Sequence, residues 1–251
     1  MKYYIITGAS RGLGEALVTK LMVKGNHIIC VSRSKNTDLI QEAQENHIDI
    51  DYYQYDLSIT EGIEELTERM FERINKADAE SISLINNAGV VSPIKPIHLC
   101  SGAEMEASIK INTLAPMILT SQFMKHTDDW EVEKKVINIS SGAGKKPYFG
   151  WSSYCSSKAA IDIFTRCAGV EQNGYKYPVK VISFSPGIID TDMQGEIRSS
   201  NKENFQEIER FIAFHKDGKL KSAEDVADKV IKLLCEKEIE NGALIDICDI
   251  N

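Results

Sequence analysis

Short apolar runs rich in β-branched and aromatic residues alternate along this chain with segments of helical period, and that alternation constrains the fold most. KYYIIT precedes EALVTKLMVKG, HIICVS precedes a polar helical stretch to His47, and IDYYQYD precedes a helix expected to begin near Ser58. SISLIN, KKVINIS, VKVISFSP and GALIDICD continue the pattern. Runs that are apolar at nearly every position suit strands covered on both faces, as in a parallel sheet whose crossovers are helices. The expectation is an α/β fold: a single-domain, Rossmann-type, doubly wound parallel sheet with helices on both faces. Ser58 with Glu61, and Ser222 with Asp225, have the spacing of helix-capping pairs. No internal repeat, low-complexity tract or Pro/Gly-rich linker interrupts residues 1–251, so the chain reads as one domain. The longest stretch expected to be irregular runs from about 191 to 220.

A net charge of −8 repels nucleic acid and anionic membrane surfaces, so neither is an expected partner. No apolar run approaches the roughly 18 residues that cross a bilayer. The opening MKYYIITGAS has no signal-peptide character, and a cytoplasmic location is expected. Cys30, Cys100, Cys155, Cys167, Cys235 and Cys248 are scattered, without a CxxC pair or a histidine at ligand spacing. They read as reduced thiols with no metal site. Cys155 follows a candidate catalytic tyrosine but has no nearby group to activate its thiol.

The first strand ends in TGASRGLG, which sets Gly8, Gly12 and Gly14, with Ser10, Arg11 and Leu13, in a turn before a helix expected near Glu15. Glycines there let backbone approach a pyrophosphate at the positive end of a helix; a tight strand-to-helix connection is the plainer use of the same turn. At the end of the second strand, CVSRS places Ser32 where a carboxylate would select an adenosine ribose hydroxyl, and Arg33 follows it. Arg33, with Arg11 as a second arm, suits a ribose phosphate and hence NADP(H) over NAD(H). Asp56 in YQYDLS can accept from an adenine amino group or cap the helix after Ser58, and Leu57 lies beside it. NNAG, residues 86–89, puts Asn87, Ala88 and Gly89 at the fourth strand's end, where small residues pack against a cofactor and the asparagine amides tie strand ends together.

Tyr154 and Lys158 lie four apart in a helical segment and so share one face. Ser141 ends KKVINISS, thirteen positions before Tyr154. A phenol of pKa near 10 is a poor acid at neutral pH, but a neighbouring ammonium and an oxidised nicotinamide both favour its anion. Ser141 can hydrogen-bond a substrate carbonyl as charge develops on it. Asn112 joins them through Pro116: proline has no N–H for the carbonyl four residues back, which leaves that carbonyl able to hold a water that connects Lys158 to solvent. A proline kink is the alternative.

TGASRGLG, NNAG, Asn112, Ser141, YxxxK and the SPG of residues 185–187 together resemble the short-chain dehydrogenase/reductase family across nearly the whole chain. The resemblance implies a sheet ordered 3-2-1-4-5-6-7 and cofactor contacts from Pro186, Gly187, Ile189, Thr191 and Met193. It also implies a homodimer or tetramer built through the long helices. Within the family, YFGWSSYCSSKAA, SPGIIDTDMQ and NGALIDICD are similar to sepiapterin reductases, and INISSGAGKKPYFGW with APMILTSQFMKHT to the bacterial benzil reductase branch, which forms (S)-benzoin.

Substrate choice is expected from the loop after Ser141 and from an apolar lid at about 191–220 holding Met193, Ile197, Phe205, Ile208, Phe211, Ile212 and Phe214. The same residues also suit core packing. With Tyr148, Phe149 and Trp151 they suit a flat or aromatic carbonyl compound, with Ser141, Trp151, Tyr154, Met193 and Asp246 as candidate contacts. Three readings follow: reduction of one carbonyl of a vicinal aromatic diketone, reduction of a pterin side chain held by Asp246, and a cofactor-binding sensor of low turnover.

Overall fold

A computed structural model describes residues 1–250. The apolar runs form β1 (Lys2–Thr7), β2 (Asn26–Ser32), β3 (Asp49–Gln54), β4 (Ser81–Asn86), β5 (Glu133–Ile139), β6 (Val179–Ser185) and β7 (Leu244–Asp246). Every pairing is parallel, in one sheet ordered 3-2-1-4-5-6-7. Strand order reverses between β1 and β4, so a crevice opens at the C-terminal ends of the strands there. The helices are α1 (Gly12–Leu21), α2 (Thr37–Glu45), α3 (Ile63–Phe71), α4 (Gly102–Ile109), α5 (Ala115–His126), α6 (Ser152–Glu171), α7 (Asp192–Arg198), α8 (Ile208–Lys216) and α9 (Ala223–Cys235).

The period-two geometry of β1 sorts its side chains between two cores. Tyr4 and Ile6 face a cluster with Leu17 of α1 and Val230 of α9, whereas Tyr3 and Ile5 face Met70 of α3 and Phe123 of α5. At the C-terminal ends of the central strands the second face turns polar. Asn86, Asn138 and Ser183 are register partners across β4, β5 and β6, and all are buried. Asn86 Nδ2 donates to Asn138 Oδ1 (2.9 Å), Asn138 Nδ2 to Thr165 Oγ1 (2.9 Å), and Ser183 Oγ to Asp162 Oδ1 (2.6 Å). Helix α6 is therefore held in one register by directional bonds as well as by apolar contact.

Local chemistry moved several boundaries. Helix α1 starts at Gly12, earlier than Glu15. Ser58 does not cap a helix: its N–H is taken by Asp56 Oδ1 (2.9 Å), a 3-10 turn spans Thr60–Gly62, and α3 begins only at Ile63. The Ser222 cap does form, with Ser222 Oγ accepting from the Asp225 N–H (3.0 Å). The stretch 191–220 is largely helical, comprising α7 and α8. Pro116 neither ends nor simply kinks its helix; a π-helical turn over Lys110–Leu114 joins α4 to α5, with the Ala115 N–H bonded to the Lys110 carbonyl. Inserting one residue into the turn absorbs the missing proline donor.

Helix α6 also rests on a backbone contact: a Cβ at Gly169 would lie 2.4 Å from the Gly242 nitrogen, just before β7. Gly169→Ala is expected to destabilise the protein by at least about 2 kcal/mol, because two backbones must separate. Urea unfolding monitored by circular dichroism measures this, and an unchanged midpoint would contradict the contact.

Candidate active site

The turn after β1 is shaped by steric exclusion. Gly8 (φ 69°) and Gly12 (φ 57°) occupy the left-handed region, and a Cβ at Gly14 would lie 2.0 Å from the Gly8 carbonyl oxygen. Gly14 thus packs α1 onto the turn and does not itself line the cleft. Asn87 locks the turn from the β4 side, its Nδ2 donating to the carbonyls of Thr7 (3.0 Å) and Gly8 (3.3 Å), while Thr7 Oγ1 accepts from the N–H groups of Asn87 and Ala88 (3.0 Å each). No side chain caps the N-terminus of α1, so its first-turn N–H groups remain available to an anion. A dinucleotide fits this cradle, whose shape a Cβ at Gly8 or Gly14 would destroy by driving apart the turn, Asn87 and Ala88.

The cleft encloses about 1050 Å³, more than the few hundred Å³ that a small substrate alone requires. Its walls bring together Gly8, Ser10, Arg11, Gly12, Leu13, Ser32, Arg33, Asp56, Leu57, Asn87, Ala88, Gly89, Ser141, Trp151, Tyr154, Lys158, Pro186, Gly187, Ile189, Thr191, Met193 and Asp246. Of the expected catalytic and cofactor-contacting residues, Gly14 and Asn112 stand behind the wall. The two arginines part company. Arg33 is exposed and makes no ion pair among the described residues, whereas Arg11 reaches Asp192 at the start of α7 (3.0 Å). Ser32 Oγ is tied to Tyr52 Oη (2.6 Å) and the Ser34 carbonyl (2.8 Å). Glu15, not foreseen in the cleft, has its carboxylate held by Asn36 Nδ2 (2.9 Å). After β6, Ile188 accepts from the Lys221 N–H (3.0 Å) and Asp190 donates to the Lys221 carbonyl (2.9 Å). The intervening N–H and carbonyl of Ile189 therefore face away from Lys221.

Ser141, Tyr154 and Lys158 converge where β5 meets α6. Ser141 lies close enough to the Tyr154 hydroxyl to oppose the rise in its pKa, and its Oγ accepts from the Ala143 N–H (3.1 Å), which fixes the hydroxyl at the start of a 3-10 turn. Gly144 allows that turn to sit against α6: a Cβ there would meet the Lys158 carbonyl carbon at 2.9 Å. Lys158 Nζ donates to the Ile139 carbonyl (2.7 Å) and lies 5.8 Å from the Tyr154 ring centroid. Burial pulls the Lys158 ammonium down to about 8, opposed by the carboxylate of Asp162 one turn on. Burial also pushes the Tyr154 phenol above its usual value, the Ser141 hydroxyl opposing it. Without a cofactor the protein thus keeps Tyr154 protonated, the reverse of the lowering expected from the sequence. Asn112, within the π turn, bridges both groups of Val90: its Oδ1 accepts from the Val90 N–H (2.8 Å) and its Nδ2 donates to the Val90 carbonyl (2.8 Å) and to Ser157 Oγ (3.1 Å). Its side chain braces the segment after NNAG against α6, and Pro116 cannot donate to its main-chain carbonyl.

Beyond Tyr154 the cleft is aromatic. Trp151 stacks on Phe205 at 4.5 Å between centroids and meets Tyr154 and Phe211 edge-on at 5.3 Å. Phe205 and Ile208 are core of this cluster, while Met193, Ile197, Phe211 and Phe214 line the cleft, so the stretch serves both packing and pocket. Phe149 and Ile212, 45% and 38% exposed, turn to solvent and leave the expected set. Tyr148 remains in the wall, and Gln194, Arg210 and Ile111 join it. Gln194 directly follows Met193 in TDMQ, which was the available signal. Asp246 lines the cleft with Oδ1 accepting from the Cys248 N–H (3.1 Å). No helix among the described residues is long and apolar enough to cross a membrane.

Comparison with known proteins gives a consistent answer. The short chain dehydrogenase family matches residues 2–202. The chain is 45% identical to a benzil reductase ((S)-benzoin forming) of Bacillus cereus, covering 98% of this chain and 99% of that one. It is 30% identical to the sepiapterin reductase of Xenopus laevis, over 98% and 95%. Among solved structures, the KRED1-Pglu enzyme superposes with a TM-score of 0.84 at 28% identity, over 98% of this chain and 100% of that one. ElxO, solved with NADP bound, gives 0.77 at 25% identity, over 98% and 96%. Matched in sequence through its dinucleotide cradle and its Tyr154 helix, and in backbone over almost its whole length, the chain belongs to the short-chain dehydrogenase family of oxidoreductases.

Proposed function

We propose that this protein is an NADPH-dependent carbonyl reductase that reduces one carbonyl of a vicinal aromatic diketone of the benzil type to the hydroxyketone. The observation that carries the reading is the placement of Tyr154, beside Ser141 and Lys158, between a dinucleotide cradle and an aromatic chamber. The similarity to benzil reductase supports the substrate class. Residues 1–251 act as one cofactor-binding unit, with 191–220 as its lid. Exposed Ile163 and Val170 on α6 support self-association as a homodimer, which light scattering decides. The protein works in the cytoplasm.

The bound cofactor supplies the hydride that the carbonyl carbon receives. The residues of the chain manage the oxygen. Ser141 donates a hydrogen bond to the carbonyl oxygen as negative charge grows there, and Tyr154 transfers its phenolic proton to that oxygen. Lys158 stabilises the phenolate left behind, and the carbonyl of Asn112 can hold a water through which Tyr154 is reprotonated from solvent. Burial that raises the phenol's pKa keeps the proton in place until substrate takes it. The ribose phosphate is held by Arg33, the exposed cation at the end of β2, with the Glu15 carboxylate engaged by Asn36.

A pterin substrate is the second reading, favoured by the carboxylate of Asp246 in the cleft wall. Assays with NADPH against benzil, sepiapterin and simple aldehydes separate the two; sepiapterin turnover far above benzil turnover would make the pterin the preferred substrate. The assembled Ser141, Tyr154 and Lys158 speak against a sensor of low turnover.

Tyr154→Phe is expected to reduce turnover at least ~100-fold, the usual worth of a positioned acid, with NADPH binding nearly unchanged. Retained turnover would remove Tyr154 from the acid role. Arg33→Asp should weaken NADPH selectively, seen as a raised KM for NADPH and a smaller change for NADH; equal effects would place the phosphate elsewhere. Reduction should decline as pH rises through about 8, where Lys158 loses the proton that its charged role requires. A profile flat from 7 to about 9.5 would contradict that role.

A further inference from the structure

Gln194 is the anomaly of the cleft. It is 2% exposed, lines the wall, and neither its Nε2 nor its Oε1 has a hydrogen-bond partner. A buried amide left in that state is costly, so a protein keeps it where something else completes it. Its position says what that is. Gln194 and Ile197 lie three apart on α7 and share a face. Ile197 belongs to the cluster of Trp151, Tyr154, Phe205 and Phe211, and Met193 packs on the same cluster. Arg198, one turn further along α7, also carries an unpartnered buried donor, Nη1. An amide placed between a guanidinium N–H and a ligand is best used with its Oε1 toward the cation and its Nε2 toward the ligand. Trp151 Nε1, a donor only, is likewise buried and unpartnered in the chamber.

The geometry points to Gln194 as a specificity-determining residue whose amide N–H, with the Trp151 indole N–H as a second unpartnered donor of the same cleft wall, receives the second oxygen of a substrate carrying two adjacent carbonyl groups. This rests on the carbonyl-reductase reading above and names what selects its substrate. Ser141 and Tyr154 take the oxygen that is reduced, and Gln194 takes the one that is not. An aromatic wall cannot distinguish a diketone from a monoketone of the same shape. A buried donor can, because the monoketone leaves it unpaired.

The test compares benzil with 1,2-diphenylethanone, which keeps both rings and one carbonyl, in the wild type and in Gln194→Met, which keeps the length of the side chain without its donor. The wild type should prefer benzil. Gln194→Met should lower the ratio of kcat/KM values for the two ketones about 10-fold, through the benzil arm and with the monoketone arm unchanged or improved. Gln194→Glu, which replaces the donor by a carboxylate, should act in the same direction and covers the case in which Met disturbs packing; thermal unfolding reports whether each variant is folded. A ratio unchanged in the folded variants overturns the proposal and leaves the reductase reading standing. So does a wild type that reduces both ketones equally well. A wild type that reduces neither overturns the reading of the reaction and this proposal with it.

Discussion

The structure depends on one close approach, that of Gly14 in α1 to the carbonyl of Gly8. No side chain can intervene, since a Cβ would sit 2.0 Å from that oxygen. The contact fixes how α1 leaves β1 and aims its uncapped N-terminus across the strand ends. Asn87 reaches over from β4 to bond the same carbonyl, so the turn and the switch point of the sheet form one rigid piece. From there the polar rung of Asn86, Asn138 and Ser183 carries the registration across to α6 and its catalytic face. The glycine turn and Tyr154 are therefore held relative to each other by backbone contact and buried hydrogen bonds, not by the segments above them.

Much of this was legible because it is local. Parallel strands read as continuous apolar runs, and glycine positions at a strand-to-helix turn have a steric meaning that sequence alone conveys. Helical spacing and the end of a strand set Tyr154, Lys158 and Ser141 near one another, and the fold brings all three to one wall of the cleft. What escaped depends on long-range context. Ser58 resembles a cap, but Asp56 competes for its N–H and wins by proximity. Pro116 reads as a freed carbonyl or a kink, and a π turn between α4 and α5 accommodates it. The ion pair of Arg11 with Asp192 depends on where α7 lies and carries no local pattern. Gln194 carries no pattern of its own and becomes conspicuous only once its burial and missing partners are visible.

Tyr154 and Lys158 show the same dependence in their electrostatics. Spacing placed an ammonium beside a phenol and implied a lowered phenol pKa. Burial acts on both groups at once, raising one and lowering the other, so the pair begins closer to neutrality than either residue in water. Asp162, one turn from Lys158 and bonded to Ser183, is the buried anion that resists complete loss of the lysine charge. The polar rung thus helps to set the charge state of the site as well as the position of α6.

The Arg11–Asp192 pair spans the mouth of the cleft from the glycine turn to the first residue of α7, and both side chains are well exposed. A contact of that kind is worth about 0–1 kcal/mol and weakens as salt is added. It contributes little to folding, but it lies where a dinucleotide must enter. Moderate ionic strength therefore acts on the entrance in two opposing ways: it screens the attraction between a polyanionic ligand and Arg33, and it loosens the strap that such a ligand has to part.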